Sequence, residues 1–179
     1  LKPLLYALCI DEGLMTPKSM VTDVSISYGG YMPENYDRQF NGYVTMEFAL
    51  EHSLNIPAVK SLSMVGVDRL IQTMAIAGFQ QVKKDQRKLG LSMILGGCGT
   101  TLEELTGLYS AFANEGRYVR PLLIATKGGD NNRGKGNALA SPAATFMINE
   151  ILSKVSRPDF PLHWQSTEKM PKVAWKSGT

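Results

Sequence analysis

Ser53-Leu54-Asn55-Ile56-Pro57 lies between two apolar helical patterns, and its reading decides how the rest of the chain is understood. Upstream, Thr45 is placed to cap a helix running to His52, with Met46, Ala49 and Leu50 turned inward. Downstream, Pro57 restarts a helix whose apolar positions are Ala58, Val59, Leu62 and Val65, stopped by Gly66. Ser53 and Asn55 are two apart in the connection, so their side chains project together from a loop. They either serve a site or cap the helix that follows.

Toward the N-terminus, residues 3–13 read as a helix with Leu4, Leu5, Leu8 and Cys9 on one face, Pro3 in the first turn and Gly13 as its stop. Thr16-Pro17 turns the chain. Val24, Ile26 and Tyr28 then alternate with Ser25 and Ser27, an extended segment over 20–28. Residues 29–42, including Pro33-Glu34-Asn35-Tyr36-Asp37, read as an ordered loop stabilised by Tyr31, Tyr36 and Phe40.

Toward the C-terminus, Asp68 is expected to cap a helix carrying Leu70, Ile71, Met74 and Ala75 that stops at Gly78. The charged run 83–88 reads as a solvated loop. Thr101 with Glu104 makes a capping box for a helix to Glu115, with Gly116 beyond it. Residues 119–126 look extended and 128–137 look like a flexible loop. Ser141-Pro142 opens a helix through Val155. An irregular stretch with Pro158, Pro161 and Pro171 leads to Val173-Ala174-Trp175, an expected strand. Met20, Met46, Met64, Met74, Met93 and Met147 are expected as core filler, and Trp164 and Trp175 as packing residues. The sum is α+β and helix-rich.

Composition bounds the function. The 179 residues are 44% hydrophobic and 20% charged, enough to bury a core and unlike a disordered chain. Nineteen Lys and Arg against sixteen Asp and Glu leave a net charge of +3, too small a surplus for a dedicated nucleic-acid binder. Cys9 and Cys98 cannot build a disulfide scaffold or a paired zinc site and read as plain buried thiols, and two histidines do not suggest a metal cluster. No apolar run approaches the roughly 18 residues of a membrane span.

Three short groups carry chemistry if they meet in space. They are Lys2 at the start of an apolar helix, Ser53 with Asn55, and Lys176-Ser177-Gly178-Thr179 at the end of the expected strand. Each has an ordinary reading alone: a lysine at a helix end, a helix cap, a strand end. In this order they match S-x-x-K, S-x-N and K-[ST]-G, the motif set of penicillin-binding proteins and serine β-lactamases. Lys2 fits the lysine of the first motif, which places the serine two residues before Leu1. Tyr6-Ala7, Asp11-Glu12-Gly13, residues 31–35, Ser53-Leu54-Asn55-Ile56-Pro57-Ala58-Val59, residues 91–97 and residues 109–116 all resemble the transpeptidase domain of class A penicillin-binding proteins. The run 95–105 most resembles the 1C type, and the resemblance covers essentially the whole chain. The Ser-Leu-Asn-x-Pro block separates it from β-lactamases, whose second motif is usually Ser-Asp-Asn.

The resemblance implies the penicillin-binding protein/β-lactamase-like transpeptidase fold, here its helix-rich part with a partial antiparallel sheet. It implies a peptidoglycan D,D-transpeptidase that cross-links stem peptides by serine acyl transfer and is acylated by β-lactam antibiotics. Lys2, one turn from the serine, would activate it, and burial and the Lys176 charge would favour the neutral amine. Ser53 would relay a proton to the leaving amine, and Asn55 would hold the Lys2 amine or the substrate amide. Lys176 would supply positive charge near the substrate carboxylate, which the Ser177 hydroxyl would bind. Gly178 allows close approach, and the Thr179 N–H is a candidate oxyanion donor, typically worth roughly 3–4 kcal/mol. No metal or organic cofactor is implied.

The whole protein would then be bifunctional, with a glycosyltransferase domain and an N-terminal membrane anchor. It would face the bacterial periplasm at the inner membrane and contact other cell-wall synthesis proteins. Residues 1–179 are expected to be an excised part of the transpeptidase domain, starting just after the nucleophile and ending at the Lys-Ser-Gly motif. Such a piece should be inactive alone, with an open sheet edge. The alternative, from another class, is a non-catalytic β-lactam-binding sensor or scaffold that kept the fold. A β-lactamase is disfavoured, because no Glu can be assigned from sequence to the deacylating role.

Overall fold

The computed structural model describes residues 1–122, 136–154 and 173–178. Its centre is α1 (Lys2–Asp11), in which every side chain from residue 3 to residue 9 is buried. The expected one-sided face is therefore wrong for this helix. Tyr6 and Ala7 are as buried as the leucines, because α1 is enclosed by α2 (Met46–Glu51), α3 (Asn55–Val65) and α7 (Pro142–Leu152). A helix apolar all round belongs in a core, and no single stripe can report it.

The remaining helices are α4 (Val67–Ile76), α5 (Gln80–Asp85) and α6 (Leu102–Phe112), with a 3-10 turn at Leu91–Leu95. Among the described residues the strands form two antiparallel pairs. β1 (Met20–Asp23) pairs with β2 (Gly42–Thr45) in the register Met20 to Thr45, and β3 (Arg117–Tyr118) pairs with β4 (Asn137–Ala138). The architecture is α+β and helix-rich.

Local chemistry sets the helix starts. The Thr45 hydroxyl accepts from the Phe48 N–H, Ser141 accepts from Ala144, and Thr101 and Glu104 form the reciprocal capping box. Such caps contribute about 1 kcal/mol each. Asp68 does not cap α4: Gly66 holds that position and Asp68 lies in the first turn, where a carboxylate still suits the helix dipole.

Other departures have tertiary causes. The extended segment at 20–28 stops as a ladder at Asp23, where β2 runs out at Gly42; Tyr28 makes an isolated bridge to Tyr31. Lys83, Lys84 and Asp85 are solvent-facing but helical, since Phe79 and Val82 anchor α5 in the core. α6 ends at Phe112 rather than Glu115. The strand near residue 119 is Arg117–Tyr118 instead, and Asn137 belongs to its partner rather than to a loop. Residues 173–178 form no strand with the described residues; the Trp175 N–H reaches the Leu152 carbonyl at 3.4 Å.

Met46, Met74 and Met93 are fully buried, but Met20, Met64 and Met147 are exposed and are not core filler. Cys9 is buried and Cys98 half-buried, both free thiols. α7 ends at Leu152 rather than running through Val155. Residues 123–135, 155–172 and Thr179 lie outside the described residues, and with them the expectations for 123–126, 128–135, the three prolines, Trp164 and the Thr179 N–H.

Candidate active site

Three segments distant in sequence meet at the N-terminal end of α1. The Lys2 amine donates to the Ser53 carbonyl oxygen and to Asn55 Oδ1, both at 2.7 Å. The Ser53 and Ser177 hydroxyls are 3.2 Å apart. The Lys176 amine reaches Ser177 Oγ at 3.0 Å. Of the residues predicted from sequence, Lys2, Ser53, Asn55, Lys176 and Ser177 are thus brought together. Gly178 follows them, exposed, with open space where a Cβ would sit.

Ser53 is set by the way α2 ends. Its N–H returns to the Leu50 carbonyl and the next N–H, of Leu54, returns to Ala49, the paired bonds that close a helix over a left-handed residue. That residue is Ser53, at φ 54°. A side chain here costs roughly 1–2 kcal/mol relative to glycine. The same turn points the Ser53 carbonyl at Lys2 and its hydroxyl at Ser177. Strain of this kind collects where function requires a side chain the backbone would not choose.

Asn55 is the first residue of α3, two residues earlier than Pro57 had indicated, and it does not cap that helix. Its side chain is divided between two partners. Nδ2 donates to the Glu34 carbonyl at 2.8 Å, which leaves Oδ1 facing the Lys2 ammonium. The helix N-terminus is capped from outside: Asn35 Oδ1 accepts from the Asn55 N–H at 2.8 Å and, more loosely, from Ile56 at 3.4 Å.

Sequence reasoning missed this support. Asn35 is buried, and its Nδ2 donates to both oxygens of the fully buried Asp23 carboxylate at 2.8 and 2.9 Å and to the Gln39 carbonyl. Asn41 adds two donors to Asp23 Oδ2, from its backbone at 2.9 Å and its side chain at 2.7 Å. The loop 29–42 is therefore held by polar contacts and by Tyr31, which packs against the core, but not by the other two aromatics: Tyr36 is 91% exposed and Phe40 54%. An Asn in a turn-rich stretch reads as a turn former, so no local signal marks it as a buried bridge.

The electrostatics separate the two lysines. Burial first, and the nearby Lys176 charge second, bring the Lys2 amine down to about 8. Burial also lowers Lys176. The neutral form of Lys2 is thus more accessible near neutral pH than that of an ordinary lysine. An amine so poised, beside a hydroxyl pair and a second cation, can accept a proton from a nucleophile and hold an anionic substrate.

Among the described residues no group of three or more His, Cys, Asp and Glu is arranged to hold a metal, and no helix is long and apolar enough to cross a membrane. The sequence profile described as "Penicillin binding protein transpeptidase domain" matches residues 1–179. Penicillin-binding protein 1C of Escherichia coli is 33% identical over 186 aligned residues, covering 100% of this chain and 22% of that protein. Penicillin-binding protein 1F of Bacillus subtilis is 35% identical over 128 residues, 70% of this chain and 17% of that one. The chain thus spans about a fifth of the length of these curated relatives. The crystal structure of penicillin-binding protein 1A from Haemophilus influenzae shares the fold with a TM-score of 0.68 at 21% identity, over 91% of this chain and 30% of that one. A structure described as a peptidoglycan glycosyltransferase from Burkholderia ambifaria superposes with a TM-score of 0.73 at 18% identity, over 88% and 54%.

Proposed function

The chain belongs to the penicillin-binding protein transpeptidase family, and from that premise we propose that it forms the acyl-transfer site of a peptidoglycan D,D-transpeptidase of the class A, 1C type. The observation that carries this reading is the convergence of the Lys2 amine, the Ser53 and Ser177 hydroxyls and the Lys176 amine from three separate segments.

In this reading the nucleophile is a serine three residues before Lys2, one helical turn back on the same face as its amine. The neutral amine takes the serine proton as the oxygen attacks the penultimate D-Ala carbonyl of a stem peptide. Ser53 passes a proton to the departing D-Ala nitrogen, and the acyl-enzyme is resolved by an amine of a second stem peptide. Lys176 and Ser177 receive the terminal carboxylate, and Gly178 leaves the backbone open beside it. The Thr179 N–H and that of the serine supply the oxyanion donors. A β-lactam enters by the same attack and stays as the acyl-enzyme. No step calls for a metal or organic cofactor.

The whole protein, on this reading, also carries a glycosyltransferase domain and a membrane anchor and acts outside the cytoplasm beside other cell-wall synthesis proteins. Residues 1–179 are then part of the transpeptidase domain.

The test is labelling of the whole protein with a fluorescent penicillin, with and without replacement of that serine by Ala. Label lost on replacement supports covalent acyl transfer. No label on the intact protein would move the assignment to a sensor or scaffold that kept only the fold.

A further inference from the structure

We propose that Asp23 and Asn35 are positioning residues for acyl transfer: the buried Asp23 carboxylate sets the orientation of the Asn35 amide, and Asn35 in turn fixes Asn55 so that its oxygen faces Lys2. The inference rests on the acyl-transfer reading and deepens it.

The chain of contacts has one consistent sense. A carboxylate only accepts, so both Asp23 oxygens oblige Asn35 to present its Nδ2 side, at 2.8 and 2.9 Å. The Gln39 carbonyl, also an acceptor, selects the same orientation. Asn35 Oδ1 is left pointing at the exposed N–H groups of α3, where it accepts from Asn55. One residue earlier, the Glu34 carbonyl accepts from Asn55 Nδ2. Two successive loop residues therefore hold Asn55, one by its backbone and one by its side chain. With both fixed, Asn55 Oδ1 has one direction left, toward the Lys2 amine at 2.7 Å.

Burial makes this arrangement stiff. Asp23 is 0% exposed and Asn35 4%. A buried amide turned end for end would set its oxygen against a carboxylate and its NH2 against backbone donors, leaving all of them unpaired. The titratable groups in the field of Asp23 are on other elements: the Lys60 ammonium, which donates to the Thr22 carbonyl and hydroxyl, and the buried, neutral Tyr6 phenol of α1. The charged side chain facing Lys2 is Lys176; the turn after α2 and the start of α3 present neutral acceptors to it, the Ser53 carbonyl and Asn55.

The test compares Asp23→Asn, Asn35→Ala and Asn41→Ala in the whole protein. Acylation rates with a fluorescent penicillin are measured from pH 6 to 10 and normalised to folded protein from thermal melts. Asp23→Asn keeps the side-chain size but offers a donor where Asn35 and Asn41 also donate. Asp23→Asn and Asn35→Ala are expected to acylate at least about tenfold more slowly per folded molecule, as small misplacements of a catalytic group do. Their rates should also rise at lower pH than in the wild type, because an ammonium that loses its Asn55 acceptor gives up its proton more easily. Asn41→Ala weakens the same carboxylate's shell without touching Asn35, so it should lower stability while keeping rate and pH profile within about twofold of wild type.

Wild-type rates and profiles per folded molecule in Asp23→Asn and Asn35→Ala overturn the inference, even if both melt earlier. If Asn35→Ala does not fold, the size-matched Asp23→Asn decides alone. An intact protein that takes no label overturns the acyl-transfer reading instead, and the two failures are distinct.

Discussion

Helices α1, α4 and α2 end in the same way but with a different residue at the critical place. Leu14 returns its N–H to Cys9, Phe79 to Met74 and Leu54 to Ala49, each closing the helix over one left-handed residue. In the first two that residue is Gly13 at φ 68° and Gly78 at φ 85°; in the third it is Ser53 at φ 54°. Glycine adopts this geometry without penalty, and serine does not. The two glycine ends only stop a helix. The serine end also supplies a carbonyl to Lys2 and a hydroxyl to Ser177. At Ser53 the chain departs from the residue its backbone prefers and gains contacts at the site, whereas Glu115 at φ 52° closes α6 through the Gly116 N–H to Ala111 as a helix stop.

The harshest way to break this contrast is to remove the amine that the Ser53 turn holds. Lys2→Met should slow penicillin acylation of the whole protein by about a thousandfold, within the usual range for loss of a general base. Thermal melts then offer a second readout. The Lys2 value of about 8 in the fold lies below that of an unfolded lysine, so protonation costs stability below pH 8 and the cost fades as pH rises toward 10. Wild type should gain stability relative to Lys2→Met over that interval; a gain toward acid would contradict the assignment.

Ser53→Gly sharpens the comparison directly. Acylation should fall roughly a hundredfold with the proton relay gone, while stability rises by about 1 kcal/mol as the left-handed strain is relieved. A lower melting temperature would mean that the serine turn is not strained. Lys176→Gln removes the neighbouring cation that helps lower Lys2. The alkaline rise in acylation rate should then move upward from about pH 8, and an unmoved profile would show that burial alone sets it. The smallest effect is the converse substitution. At Gly13 an added Cβ meets nothing within 4 Å, so Gly13→Ala isolates the conformational cost. It should lose about 1 kcal/mol in a thermal melt and leave acylation unchanged.

Much of this was legible along the chain. Thr45, Thr101 with Glu104, and Ser141 with Pro142 announce helix starts because a cap bonds residues two or three places away. Gly13 and Gly78 announce ends for the same local reason. The residues that meet at the site, Lys2, Ser53, Asn55, Lys176 and Ser177, could be named because their order along the chain matches a known motif set, although each is ordinary at its own position. Asn35 and Asp23 could not. One reads as a turn residue and the other as the end of a short strand, and apart from Gln39 their partners lie 12 to 21 residues away.

The sequence by itself determined the helix boundaries set by caps and glycines, the α+β character and the motif residues, because each depends on near neighbours or on residue type. Only the packing between segments decided that α1 is enclosed by three helices and that a buried carboxylate orients the amide behind Asn55. Burial and hydrogen-bond partnership are settled between segments distant in the chain, and a pattern read along one segment does not contain the other.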